Sequence, residues 1–162
     1  MGVGTHPQQF NRLLKELDYL IGTGKIKDRV FAQVGYSDFR PKNMECRDFI
    51  PLDEFRKLIG KADLVITHGG EGNIGTALQY GKKLVVVPRL KKFGEHTNDH
   101  QLELTRAVEA EGLCVAVYSI QHLEEAIGKA LEMKPRVRGQ GAKGIISLIE
   151  NFIRGNPGLS GR

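Results

Sequence analysis

Glycine and polar side chains gather at residues 68–73, which read His-Gly-Gly-Glu-Gly-Asn after the apolar run 62–67. Three glycines at a turn from strand to helix allow backbone N–H groups to converge on an anion. We therefore expect a cradle for a diphosphate here, with positive φ at Gly70. A tightly packed turn without a ligand is the alternative. A Walker A loop is excluded, because no Lys-Ser or Lys-Thr pair follows.

A second polar segment spans residues 89–101. Its cations can neutralise a diphosphate, and its amides and carboxylates can bind ribose or sugar hydroxyls. A metal site is disfavoured because no two ligands have a recognised metal-motif spacing. A merely solvated loop is the alternative. The polar members are Arg89, Lys91, Lys92, Glu95, His96, Asn98, Asp99, His100 and Gln101.

A third candidate is Gly-Val-Gly-Thr-His at residues 2–6, which leads into a predicted helix. Gly4 permits close backbone approach to a ligand, and a helix N-terminus favours an anion. His6 can donate to a phosphate or act as a base near neutral pH. The alternative is a tight turn with Thr5 as the N-cap. A dinucleotide fingerprint is excluded, because the third glycine and a clear ribose-binding acid are missing.

Composition limits the class of protein. The chain is 40% hydrophobic, and its 162 residues suit one domain with a sizeable core. Its apolar runs are too short to cross a bilayer, and the first residues show no signal peptide. Cys46 and Cys114 match no metal spacing, so we expect a reducing, cytoplasmic setting. The net charge of +5 favours anionic partners, but RNA-binding signatures are missing, and nucleic acid is not expected.

Strands and helices alternate along the sequence. This order predicts an α/β, Rossmann-like fold, in which a parallel sheet carries helices on both faces. We expect one domain at residues 1–154 and a disordered tail at 155–162, with Gly81 and Gly112 ending two helices. The predicted helices are 7–21, 51–61, 73–80, 99–111, 120–133 and 144–153. The predicted strands are 29–36, 45–50, 62–67, 84–88 and 113–117.

In such sheets, ligands bind beyond the carboxyl ends of the strands. That rule selects the three polar segments at residues 2–6, 68–73 and 89–101, so fold and local chemistry agree. The first strand should be central, yet only residues 1–3 precede the turn at Gly4. We therefore expect this strand to be very short or truncated.

From Gly4 to about Ile127 the chain resembles the C-terminal, donor-binding domain of GT-B glycosyltransferases of the MurG type. It is most similar to stand-alone versions of that domain. These are the soluble catalytic subunit of the split dolichol-pathway N-acetylglucosaminyltransferase and the matching subunit of bacterial exopolysaccharide and capsule glycosyltransferases. The resemblance rests on GTH at residues 4–6, ITHGGEGNIGTALQYGKKLVVVPR at 66–89 and GEHTNDHQLEL at 94–104. Each motif alone is weak, but the combination is specific.

The resemblance implies half of a GT-B fold that binds a UDP-sugar without a metal or other cofactor. A separate, membrane-anchored subunit would bind the lipid-linked acceptor, and this chain would reach the membrane through it. Related proteins often carry a ribose-binding carboxylate where this chain has Thr76. The candidate catalytic residue is His6. The candidate donor-binding residues are Gly4, Thr5, His68, Gly69, Gly70, Gly72, Asn73, Thr76, Arg89, Glu95, Asp99, His100 and Gln101.

Two other functions stay open at this point. A non-catalytic partner of another glycosyltransferase is favoured by Thr76 and by the short first strand. A sugar-nucleotide epimerase of the same fold would need a two-domain chain, which the length disfavours. A soluble homo-oligomer that hides the open half of the cleft is a further alternative.

Overall fold

Alternating strands and helices form a parallel sheet in the computed structural model, which describes residues 1–134. The predicted helix at 144–153 and the tail at 155–162 lie outside these residues. The strands are β1 Phe31–Gln33, β2 Glu45–Arg47, β3 Leu64–His68, β4 Lys83–Val87 and β5 Val115–Ala116. The α-helices are α1 Asn11–Gly22, α2 Leu52–Lys61, α3 Glu71–Gln79, α4 His100–Ala110 and α5 Leu123–Glu132. Lys91–Phe93 and Ile120–His122 form 3-10 turns.

Residues 1–3 lie between β1 and β3 and join the two parts of the sheet. Gly2 bridges Gln33 of β1 and Thr67 of β3, both in parallel register. Its N–H donates to Ile66 O at 3.0 Å, and Val3 N–H donates to Gln33 O at 3.2 Å. The order is therefore β2, β1, residues 1–3, β3, β4, β5, as in doubly wound nucleotide-binding folds. This confirms the predicted fold class and the short central strand.

Side chains of β3 and β4 alternate between two apolar cores. Ile66, Val85 and Val87 face α1 and α5 in one core. Val65, Leu84 and Val86 face α2, α3 and α4 in the other. Burial on both faces explains why these strands read as continuous apolar runs.

The starts of α1 and α3 differ from the prediction for reasons that the structure shows. Helix α1 begins at Asn11 rather than at residue 7. The hydroxyl of Ser37 accepts the Phe10 N–H at 3.0 Å, and the Gln9 side chain accepts the Asn11 N–H at 2.7 Å. These contacts hold residues 7–10 outside the helix, and Thr5 is therefore no N-cap. Helix α3 starts two residues earlier than predicted, directly after Gly70.

A cavity of about 590 Å³ runs along the strands from their amino ends as far as Gly2 and Thr67. Its lining includes Met1, Phe31, Ala62 and Leu64, which begin or precede the central strands. The three polar segments lie at the opposite, carboxyl edge of the sheet. Gly2 lines the cavity as well, but no other residue of these segments does.

Candidate functional site

The imidazole of His68 fills the space between the two glycine segments, residues 2–6 and residues 68–73. A Cβ at Gly4 would lie 2.5 Å from His68 Cε1, and a Cβ at Gly70 would lie 2.2 Å from His68 Nε2. Both positions therefore require glycine for packing. Gly4 has φ +78°, but Gly70 has φ −86°, so the expected positive φ at Gly70 is wrong.

The other two glycines of residues 68–73 differ from each other. A Cβ at Gly69 would approach Gln101 Cβ and Thr105 Oγ1, both at 2.8 Å, so Gly69 allows α4 to pack closely. A Cβ at Gly72 would meet nothing within 4 Å. Gly72 lies in the first turn of α3, whose N-terminus has no side-chain cap. The first N–H groups of a helix lack intrahelical acceptors, so this end can bind an anion.

Hydrogen bonds from Thr67 determine the protonation of His68. Gly2 O can only accept, so the Thr67 hydroxyl donates to it at 2.9 Å. The Asn73 amide donates to that hydroxyl at 3.0 Å, and His68 Nδ1 lies 3.3 Å from it. We infer that Nδ1 carries the proton and that Nε2, beside Gly70, is an acceptor. Burial, with a smaller effect of Arg89, lowers the pKa of His68 to about 3, so the ring is neutral at pH 7.

Arg89 lies beneath the site and is completely buried. Its guanidinium donates to the carbonyl oxygens of Gln8 at 2.8 Å, Gln9 at 3.0 Å, Glu95 at 3.0 Å and Val3 at 2.7 Å. These acceptors flank residues 4–7 and precede His96. Arg89 thus links the two loops, and its guanidinium hydrogen bonds go to backbone carbonyls rather than toward the cleft.

Glu95 is also completely buried. Its carboxylate accepts from Arg12 Nε and Nη2, both at 2.9 Å, and from the Leu90 N–H at 3.0 Å. A carboxylate with these partners is directed away from a sugar in the cleft. Arg12, which the sequence analysis did not single out, is therefore part of the support for the site.

His6 and His96 form a stacked pair with ring centroids 4.2 Å apart. Burial lowers the pKa of His6, and the neighbouring His96 and Arg89 lower it further. Burial and Arg89 likewise lower the pKa of His96. The pair is only half-buried, so it stands between the buried Arg89 and the open side of the cleft.

The remaining predicted residues lie at the same edge with different exposure. Gln101 accepts the Arg89 N–H at 3.0 Å through Oε1, which leaves its amide NH₂ for a ligand. Asp99 accepts the Lys91 N–H at 2.9 Å. Thr76 donates its hydroxyl to Gly72 O at 2.7 Å, so it offers a ligand only lone pairs. Thr5 is exposed and His100 half-exposed.

An exposed aromatic pair beside the glycine segment at residues 2–6 was not predicted from the sequence. The rings of Tyr36 and Phe49 meet edge to face, with centroids 5.0 Å apart. They follow β1 and β2, and Phe49 lies beside Gly35, whose added Cβ would touch Gly4 O. Two exposed aromatic residues just after neighbouring strands were a usable signal, since such rings bind flat apolar groups.

Comparison with known proteins gives the family. The "Glycosyltransferase family 28 C-terminal domain" model matches residues 2–148. The chain belongs to this family. A glycosyltransferase family 28 C-terminal domain agrees with the resemblance inferred from residues 4–6, 66–89 and 94–104.

Individual proteins similar to this chain are consistent with the family. The UDP-N-acetylglucosamine transferase subunit ALG13 of Cryptococcus neoformans is 38% identical over 85 residues, 51% of this chain and 40% of that protein. The chain therefore spans less than half the length of this relative. The kitacinnamycin glycotransferase structure has a TM-score of 0.62 at 18% identity, over 99% of this chain and 39% of its own. The structure of Acinetobacter baumannii MurG has a TM-score of 0.54 at 16% identity, over 93% of this chain and 49% of its own. Both likenesses show the fold.

The described part of the chain contains neither a metal-ligand cluster nor a membrane-spanning helix. Within residues 1–134, no group of three or more His, Cys, Asp or Glu side chains is arranged to hold a metal ion. In the same range, no helix combines the length and apolarity needed to cross a membrane.

We predict that His68 makes the family 28 domain acid-sensitive. The unfolded chain takes up a proton near pH 6.5, whereas folded His68 stays neutral down to about pH 3. The free energy of unfolding should therefore fall as the pH falls through this window, by at most about 1.4 kcal/mol per pH unit for one proton. Urea denaturation between pH 7 and 5 should show that the free energy of unfolding falls less steeply with falling pH in His68→Gln than in the wild type. Equal slopes would mean that His68 titrates in the folded protein.

Proposed function

We propose that the chain binds a UDP-sugar at the carboxyl edge of its sheet and supplies the donor half of a glycosyltransferase. The observation that carries the proposal is the uncapped N-terminus of α3, where Gly72 faces open space beside Gly4, His68 and Gly70. This end of α3 lies next to residues 1–3, where the sheet order reverses. Nucleotides bind at such switch points in related folds.

Sugar transfer from a UDP-sugar requires stabilisation of the leaving diphosphate as the glycosidic C–O bond breaks. Fixed N–H dipoles at residues 70–73 can do this without reorganising at the moment of reaction. Gln101 can donate its free amide NH₂ to a sugar hydroxyl. His68 Nε2 can accept a hydrogen bond from a sugar hydroxyl. His6, which stacks on His96, stays the candidate for proton transfer or phosphate contact.

A nucleobase needs an apolar surface beside the diphosphate. The exposed Tyr36–Phe49 pair provides one next to Gly4. Stacking on aromatic rings tolerates any base, so this pair supports a nucleotide without choosing uracil. The choice of UDP rests on the ALG13 relatives, which are named UDP-N-acetylglucosamine transferase subunits.

The acceptor half of the cleft belongs, in this proposal, to a separate membrane-anchored subunit with a lipid-linked acceptor. The relatives named as subunits support an assembly. The rim formed by Lys91, Lys92 and the exposed Phe93 suits contact with a protein or an anionic lipid. Peripheral membrane association through the partner, with the chain otherwise in the cytoplasm, follows from that arrangement.

A non-catalytic partner role is the second candidate. It is favoured by Thr76, whose hydroxyl is already bonded to Gly72 O and binds ribose less strongly than a carboxylate. Substituting Gly72 in the purified complex separates the two roles. Loss of sugar transfer supports a donor site in this chain, and unchanged transfer supports the non-catalytic role.

We predict that Gly72→Ala weakens UDP binding about tenfold or more, because the methyl group enters the space that the diphosphate needs while the fold has room for it. Gly128→Ala is the matched control, since Gly128 is also helical and open but lies in α5. Each substitution should stabilise its helix by about 0.5–1 kcal/mol. Calorimetry and urea denaturation provide the two readouts. Equal UDP affinity of both variants would contradict a phosphate cradle at α3.

We also predict that transfer requires the partner. Expressed alone, the chain should bind UDP with a dissociation constant no tighter than about micromolar and should transfer no sugar, because half of the cleft is missing. Co-expression with its membrane subunit should move it to the membrane fraction and produce transfer to a lipid-linked acceptor. Efficient transfer by the isolated chain to a water-soluble acceptor would contradict this division.

A further inference from the structure

Two guanidinium groups, one fully buried and one mostly buried, lie near a single buried carboxylate beneath the glycine segments at residues 2–6 and 68–73. Arg12 takes both oxygens of Glu95, and the side chains of Arg12 and Glu95 are only 14% and 1% exposed. Arg89 has no ion-pair partner of its own among the described residues, and its guanidinium bonds go to neutral carbonyls. The cluster of Arg12, Arg89 and Glu95 therefore carries a net charge of +1.

Carbonyl oxygens and the Phe10 ring, whose centroid lies 4.9 Å from Arg89 Cζ, stabilise this charge, but no second carboxylate cancels it within the cluster. Desolvation lowers the pKa of Arg89 to about 10, against a smaller opposing effect of Glu95. Its Nε is buried without a hydrogen-bond partner. The nearby rings of His6, His68 and His96 have lowered pKa values and add no negative charge. The carboxylate of Asp99 belongs to an exposed residue, where solvent and Lys91 reduce its effect.

The cluster lies where it can act on a ligand without touching it. Arg89 binds Val3 and Gln8, which bracket residues 4–7, and it binds Glu95 next to His96. A buried charge is screened less than an exposed one, so its field reaches an anion in the cleft above.

We propose that Arg12, Arg89 and Glu95 form a buried cationic cluster that provides the countercharge for the donor's diphosphate from beneath the glycine segments. The inference rests on the proposed donor site and assigns all three as positioning residues rather than contacts. The rival explanation is that these side chains only hold the loops together.

A charge series separates the two explanations. The cluster carries +2 in Glu95→Gln, +1 in the wild type, +1 in the double variant Arg12→Met/Glu95→Gln, and 0 in Arg12→Met. If the field matters, UDP affinity follows this charge and changes about three- to tenfold per unit. Glu95→Gln has fewer contacts than the wild type, yet it should bind UDP more tightly, and the double variant, with the same charge as the wild type, should match it. A purely structural role predicts that the wild type binds UDP most tightly and that both Glu95→Gln and the double variant bind it more weakly.

Calorimetric titration with UDP at low ionic strength measures the series, after circular dichroism has shown that each variant is folded. Lys61→Met is the matched control, because it removes one exposed cation at the amino edge of the sheet and should leave affinity unchanged. Arg12→Met strands a buried carboxylate and is the variant at risk of unfolding. Should it unfold, Glu95→Gln decides: tighter binding than the wild type supports the cluster, and equal or weaker binding overturns it.

Two failures are distinguishable. A wild-type chain that binds no UDP removes the proposed function and this inference together. A wild-type chain that binds UDP, with affinities ordered by intact contacts, overturns the inference alone.

Discussion

The buried guanidinium of Arg89 is the interaction on which the carboxyl edge of this sheet depends. A fully buried cation is costly unless its hydrogen bonds are made, and here they are made by the backbone of two separate loops. The carbonyls of Val3, Gln8 and Glu95 can meet one planar group only if their loops keep a fixed relation. The positions of His6 and His96 follow from that constraint. The backbone N–H of Arg89 separately orients the side chain of Gln101.

Packing and binding impose different demands on the glycines of this edge. Gly4 and Gly70 make room for the His68 ring, and Gly69 makes room for α4. Only at Gly72, among the glycines of residues 68–73, does the fold leave open space that packing does not explain. A motif that reads as one phosphate loop thus combines a structural part with a part available to a ligand.

Much of the architecture could be predicted from the sequence. The runs 62–67 and 84–88 are buried on both faces, so their composition revealed β3 and β4. The start of α1 could not be predicted, because the Ser37 hydroxyl that holds Phe10 outside the helix comes from 27 residues away. The burial of Arg89 and Glu95 was equally hidden: charged residues in a polar loop look like ligand contacts until the loop's partners are known. Arg12 was missed for the same reason, since its partner is 83 residues distant.

The most direct test is a nuclear magnetic resonance titration of the isotope-labelled chain with UDP. The account predicts that the largest shift changes occur at the amides of Gly4, Gly70 and Gly72, with smaller changes at His6 and Gln101. Phe31 and Leu64, at the amino end of the cavity, should stay unaffected. Changes concentrated at that cavity, with the amides of residues 70–73 unmoved, would contradict a donor site at the carboxyl edge.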